Sequence, residues 1–163
     1  MEIRDASTED WIRIWPFFDA IVAAGETYAY PEDLTAESAR SLWMEQPPGR
    51  TVVAVDGGRV LGSAKMGPNR PGRGSHVATA SFMVDPDARG RGVGRALGVH
   101  ALEWATATGF AGMQFNAVVQ TNPAVALWRS LGFQVIGTVP QAFESATHGR
   151  VGLHVMYRRL SQE

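Results

Sequence analysis

The chain has 163 residues, 45% of them apolar, with a formal net charge of -1 and a pI near 6.4. That length suits one domain over residues 1–163 with a sizeable core, and the near-neutral balance lacks the basic field that nucleic-acid binders use for counterion release. With no cysteine there is no disulfide, thiolate metal ligand or thiol nucleophile, so covalent catalysis would need another group.

"MEIRDAS" reads as a short opening strand that ends in a cap. Ser7 or Thr8, ahead of Glu9 and Asp10, can accept from the first free amides of a helix over residues 9–23. The same opening carries Glu2, Arg4 and Asp5 where a signal peptide needs a basic segment and an apolar run, and no apolar stretch is long enough to span a bilayer. The expectation is a soluble cytoplasmic protein with no membrane or nucleic-acid partner. Pro16 removes one helical donor, which predicts a kinked or split helix. "GETYAYPEDLT" is a loop carrying Tyr28 and Tyr30, Thr35 caps a second helix to about residue 45, and "QPPGR" ends it.

"TVVAVDGGRVLGSAKM" predicts a hairpin: a β-branched run, Asp56-Gly57-Gly58 as the turn, and a second strand to about Met66. Residues 67–75 form a loop, and a strand over 76–84 leads into "RGRGVG". Val93, Leu97, Ala101, Trp104 and Ala105 then recur at helical spacing until Gly109. A strand over 113–119, a short helix over 123–131 and strands over 133–139 and 151–159 follow, the last two separated by "PQAFESATHG". The order is βααβββαβαββ. The hairpins exclude an all-parallel sheet, while the helix over 92–108 allows one parallel crossover. This predicts an α/β (α+β) fold, a mixed and mostly antiparallel central sheet with helices on both faces. His76, His100, His148 and His154 show no metal-ligand spacing, so no metal is expected.

Arg89, Arg91 and Arg95 crowd the start of the third long helix, where the macrodipole disfavours cations unless an anion joins them. Glycines let a ligand approach the backbone there, and free amides at a helix start bind phosphates. A P-loop would need Lys-Ser/Thr after its second glycine. A dinucleotide fingerprint would need a third glycine where Leu97 stands. Neither fits. The plain alternative is a tight turn whose arginines lie in solvent, paired with Asp85 and Asp87.

Arg89-Gly90-Arg91-Gly92-Val93-Gly94 behind "FMVDPDA", with "QTNPAVALWRSLGF" further on, resembles the two signature segments of the GCN5-related N-acetyltransferases (GNAT). The resemblance covers nearly the whole chain. It implies acetyl-coenzyme A (acetyl-CoA) as co-substrate, its pyrophosphate on the amides of Arg89, Gly90, Arg91, Gly92, Val93 and Gly94, with Arg95 beside them. It also implies that the strand ending in Phe82, Met83 and Val84 pairs with the pantetheine arm. The strands over 76–84 and 113–119 would be parallel neighbours that splay apart. Several family members dimerise through the sheet, so a homodimer is one arrangement the resemblance admits.

Alternation places Thr79 and Ser81 on one strand face, and Gln114 and Asn116 on one face of theirs. Polar side chains on central strands form either a self-satisfied network or a pocket wall, and Asn116 is the candidate for positioning a substrate. Asn122 before Pro123 is a helix cap, and by resemblance also a coenzyme contact. The family's acidic tyrosine is replaced by Trp128, and the strand over 76–84 holds no glutamate. Direct attack by a neutral amine is then the simplest chemistry, with Tyr28, Tyr30, His76, Glu144 and His154 as candidate proton acceptors. "GPNRPGRGSH", "FNAVVQTNPAVALW" and "LGFQVIGTVPQAF" are also similar to segments of fungal acetyltransferases that act on proline analogues such as azetidine-2-carboxylate. In those, the match to Asn116 contributes to the substrate site, while a second substrate asparagine falls on Thr79. The expected function is acetyl transfer to a small-molecule amine, such as an amino acid or cyclic imino acid. The alternatives are a non-catalytic acyl-CoA sensing domain and a protein or peptide N-acetyltransferase.

Overall fold

Among the described residues seven strands form one sheet in the order β1-β2-β3-β4-β5-β7-β6. Chain order is β1 (Glu2–Asp5), α1 (Trp11–Ala24), α2 (Ala36–Trp43), β2 (Arg50–Asp56), β3 (Arg59–Pro68), β4 (Val77–Val84), α3 (Val93–Thr108), β5 (Gly112–Val119), α4 (Ala124–Ser130), β6 (Gln134–Ser145) and β7 (Gly149–Arg159). The computed structural model describes residues 1–160, so the expected boundary at 163 lies outside the described residues. Among the described residues no helix is long and apolar enough to cross a membrane, and no cluster of three or more His, Cys, Asp or Glu could hold a metal.

The β2–β3 hairpin turns through Gly57 and Gly58, both at positive φ (56° and 79°), the pair of angles that suits the twist of the flanking strands. Thr35 caps α2 through its Oγ1, which accepts from the Ser38 N–H at 3.1 Å. At α1 the expected cap runs the other way: Ser7 N–H and Oγ both donate to Asp10 Oδ2, at 2.7 and 3.1 Å. A buried carboxylate gathers the donors there, because Arg4 also reaches Asp10 at 2.8 and 3.0 Å. Pro16 does not split α1, which runs unbroken over 11–24. Pro16 is exposed, so its missing hydrogen bond falls on the solvent face, where the freed carbonyl stays open to solvent. Nor is "PQAFES" a loop, because β6 continues to Ser145 through an irregularity between Val139 and Phe143. Pro140 cannot donate to the ladder and Gln141 takes a φ of 53°, so the strand bulges and then resumes.

Two apolar clusters flank the sheet. Trp11, Ile14, Phe18 and Trp43 of α1 and α2 pack on Val53, Val60 and Met83. Val93, Leu97 and Ala101 of α3 and Trp128 of α4 pack on Val52, Leu61 and Ala80 from the other side. Gly62 sets the depth of α3, since a Cβ there would lie 2.9 Å from the Met83 carbonyl oxygen and 2.9 Å from Val93 Cγ1.

Among the described residues the only parallel contact is β4 with β5, and its register holds just Val77↔Gly112 and Ala78↔Met113. Beyond that the strands part. Asn69 N–H donates to Val77 O, and Asp85 N–H to Leu61 O. The odd-numbered residues of β4 therefore turn their backbone groups to β3. Those of Ala80, Phe82 and Val84 face the gap.

Candidate active site

After Val84 the chain turns sharply, with Asp85 Oδ1 accepting from the Asp87 N–H at 2.9 Å. Arg89, Gly90, Arg91 and Gly92 are exposed. Gly90 and Gly92 sit at φ of 77° and 76°, left-handed angles that cost other residues energy. A Cβ on either would meet nothing within 4 Å, so the backbone is open to a ligand. Gly92 caps α3 without a side chain, and the first helical bond runs from Ala96 N–H to Gly92 O. The amides of Val93, Gly94 and Arg95 precede that bond and have no acceptor inside the helix, which makes this end a seat for an anion.

The arginines divide their work. Arg91 pairs with Asp56 at 2.5 Å and Arg95 donates to Ser130 Oγ at 2.9 Å. Arg89 makes no ion pair among the described residues. Neither Asp85 nor Asp87 holds a loop arginine; Asp85 pairs with Arg59 at 3.2 Å. The positive cluster at the helix start is thus offset at one residue, Arg91, by an aspartate from the β2–β3 turn.

Of the three residues expected to meet the pantetheine arm, Phe82 and Val84 turn their backbone groups to the gap, while those of Met83 face β3. Met83 is buried beneath α1, and the Phe82 ring lies 4.6 Å from Trp128 and 5.8 Å from Phe115. Trp128, standing where the family carries its tyrosine, is 6% exposed and packs as core. The Phe82 backbone carries a different partner: Tyr28 Oη accepts from its N–H at 2.9 Å and donates to its carbonyl at 2.6 Å. Segment 25–30 crosses the sheet as a strap. Glu26 accepts from Ser145 Oγ at 2.6 Å and from the Thr147 N–H and Oγ1 at 3.0 Å each, and Ala146 N–H donates to Gly25 O at 2.9 Å.

Thr79 and Ser81 share the Met83 face of β4, and Gln114 and Asn116 share a face of β5. Asn116 lies where the β5–β7 register shifts and is exposed. Its Nδ2 donates to Asn69 Oδ1 at 2.6 Å, and its Oδ1 accepts from Gln114 Nε2 at 2.9 Å. Asn69 directly follows the end of β3 at Pro68 and lies 47 positions from its partner, so no local spacing links the two. Asn122 accepts from the Ala124 N–H at 2.9 Å, the capping geometry its place before Pro123 predicts.

Of the five candidate proton acceptors, Tyr28 and Tyr30 come together, their ring centroids 5.7 Å apart. Burial lifts Tyr28 well above the ordinary phenol range and pushes Tyr30 up to about 12, so both are neutral donors near pH 7. His154 is buried, its Nδ1 2.7 Å from Thr138 Oγ1, and burial lowers its pKa, with Arg129 adding to the effect. Glu144 pairs with Arg150 at 3.1 Å in solvent, and His76 is exposed.

The chain is 64% identical to a GCN5-related N-acetyltransferase from Kribbella flavida, with a TM-score of 0.95 over 98% of this chain and 97% of that one. A phosphinothricin acetyltransferase from Sinorhizobium meliloti, solved in complex with acetyl-CoA, is 27% identical with a TM-score of 0.85, over 98% of this chain and 88% of that one. The N-acetyltransferase aca1 of Schizosaccharomyces pombe is 38% identical over 84 residues, 51% of this chain and 40% of that protein. The chain therefore spans less than half the length of that fungal relative. Residues 8–133 match the acetyltransferase (GNAT) family, well over half of the sequence, and they contain the anion seat, the parted strands and the capped α4. On this evidence the chain belongs to the GNAT acetyltransferase family.

Proposed function

We propose that the protein is an N-acetyltransferase that moves the acetyl group of acetyl-CoA onto a small-molecule amine, an amino acid or cyclic imino acid being the leading class. One observation carries the reading: a glycine-opened helix start with no side-chain cap lies beyond the end of the strand whose parting from β5 leaves a slot. The residues fit the coenzyme. The loop amides of Arg89 to Gly94 would hold its diphosphate, with Arg95 and Asn122 at the flanks, and the slot-facing backbone of Phe82 and Val84 would hold its arm beside Met83. Acetyl-CoA supplies the acetyl group as an activated thioester.

The chain's own part is binding, orientation and polarisation. Amides of β4 that face the slot polarise a carbonyl placed against them. Asn116, held by Asn69 and Gln114, offers uncharged amide groups to orient an acceptor, which suits a small polar amine better than a charged peptide. With Trp128 in the core and Tyr28 and Tyr30 neutral, none of these three is poised as a base. A neutral amine would attack the thioester carbon directly; the carbon–sulfur bond would break as the carbon–nitrogen bond forms, and the surplus amine proton would pass through water to the departing thiolate.

The missing acid and base favour a second reading, an acyl-CoA binding domain without turnover. Thiol release from acetyl-CoA against a panel of amino acids, cyclic imino acids and short peptides separates the readings. Turnover on the small amines supports the proposal, and turnover on peptides alone moves the substrate to a protein amine. Silence with intact calorimetric binding of acetyl-CoA selects the binding domain.

A further inference from the structure

Phe82 faces the slot, yet its backbone is already engaged. The N–H and C=O of one extended residue point the same way, so a single hydroxyl can accept from the first and donate to the second. Tyr28 does this at 2.9 and 2.6 Å, replacing the strand partner that Phe82 loses where β4 and β5 part. The tyrosine is held in place from both ends. Its ring stacks on Tyr30 at 5.7 Å, and two residues earlier Glu26 is bonded to Ser145 and Thr147. A ligand carbonyl entering beside Phe82 would accept from the same N–H, so it must displace the Tyr28 oxygen.

We propose that Tyr28 is a positioning residue for the acyl group: its hydroxyl occupies the Phe82 N–H in the free protein and yields it to the acyl carbonyl of the bound coenzyme. This rests on the acetyl-CoA reading above. An unpaired donor in a part-buried slot is costly, and the hydroxyl keeps the Phe82 donor satisfied and correctly aimed until a carbonyl takes over. No covalent bond is made or broken in the exchange. The hydroxyl gives up its acceptor role to the Phe82 N–H and remains protonated throughout.

The test compares acetyl-CoA with S-ethyl-CoA, a thioether that lacks only the carbonyl oxygen. Calorimetric Kd values are measured for both ligands on the wild type and on Tyr28→Phe. The ratio of the two Kd values reads the carbonyl contact alone, since general loosening of the slot moves both ligands together. Removing the competitor should raise the preference for acetyl-CoA over S-ethyl-CoA by about three- to tenfold. An unchanged ratio means that the hydroxyl does not compete, and a smaller ratio means that it donates to the bound carbonyl; either overturns the proposal. Should Tyr28→Phe fail to fold, the amide resonance of Phe82 in 15N-labelled wild type decides. It should shift differently with the two ligands, and equal shifts overturn the proposal. If neither ligand binds the wild type, the acetyl-CoA reading itself fails and takes this inference with it.

Discussion

Gly92 allows charge and backbone strain to be separated at the anion seat. Its φ is 76°, and a Cβ would meet nothing within 4 Å, so Gly92→Ala costs about 1–2 kcal/mol of left-handed strain without a clash. Gly92→Glu carries the same strain and adds a carboxylate at the uncapped start of α3. In the free protein that carboxylate meets the positive end of the helix and regains about 0.3–1 kcal/mol relative to alanine. Toward a diphosphate the sign reverses. Two like charges about 5 Å apart at an effective dielectric of about 20 repel by about 3 kcal/mol. Gly92→Glu should therefore melt slightly above Gly92→Ala while binding CoA about 100-fold more weakly. Calorimetry at two ionic strengths and urea melts of both variants give the comparison. Equal CoA affinity for the glutamate and alanine variants would refute the placement of the diphosphate at this loop.

Three further outcomes follow from the same geometry. Asn116→Ala should raise the amine KM while the calorimetric Kd of CoA stays unchanged; a fall in coenzyme affinity alone would move Asn116 out of the acceptor wall. Gly62→Ala forces a Cβ to 2.9 Å from the Met83 carbonyl oxygen and should destabilise by about 1–3 kcal/mol in urea melts, and a neutral result would show that α3 can lift from the sheet. Asp10 is 3% exposed, and Arg4, with desolvation opposing and Ser7 assisting, holds it at about 2, below its ordinary 3.8. A carboxylate depressed on folding stabilises above its unfolded pKa and loses that contribution as pH falls through the folded value. The contribution is at most about 2 kcal/mol, since Arg4 is 39% exposed. Asp10→Asn should flatten the fall in urea midpoint between about pH 4 and about pH 2, and parallel pH profiles for the two proteins would contradict this.

Elements whose signals are local were legible in the residues alone. Gly57-Gly58 demands a tight hairpin, Thr35 and Asn122 supply side-chain oxygens to adjacent helix starts, and Gly90 and Gly92 adopt backbone angles that few other residues tolerate. Each depends on torsions and hydrogen bonds within a few positions. The helix period of 93–105 and the single crossover also follow from short-range pattern, so the order of elements was readable from end to end. Less was readable where a local rule met a competing contact. Asp10 accepts from both Ser7 and Arg4, and β6 ran through Pro140 because β7 supplied a partner on both sides of the bulge.

The site's inner surface belongs to tertiary structure. The sheet order joins Tyr28 to Phe82 across 54 positions, Asn69 to Asn116 across 47, and Glu26 to Ser145 across 119. None of these partners constrains the other's local conformation, so neither leaves a trace in spacing or composition. Tyr28 reaches Phe82 because β4 and β5 share only two register pairs before parting, which leaves the Phe82 backbone without a strand partner on that side.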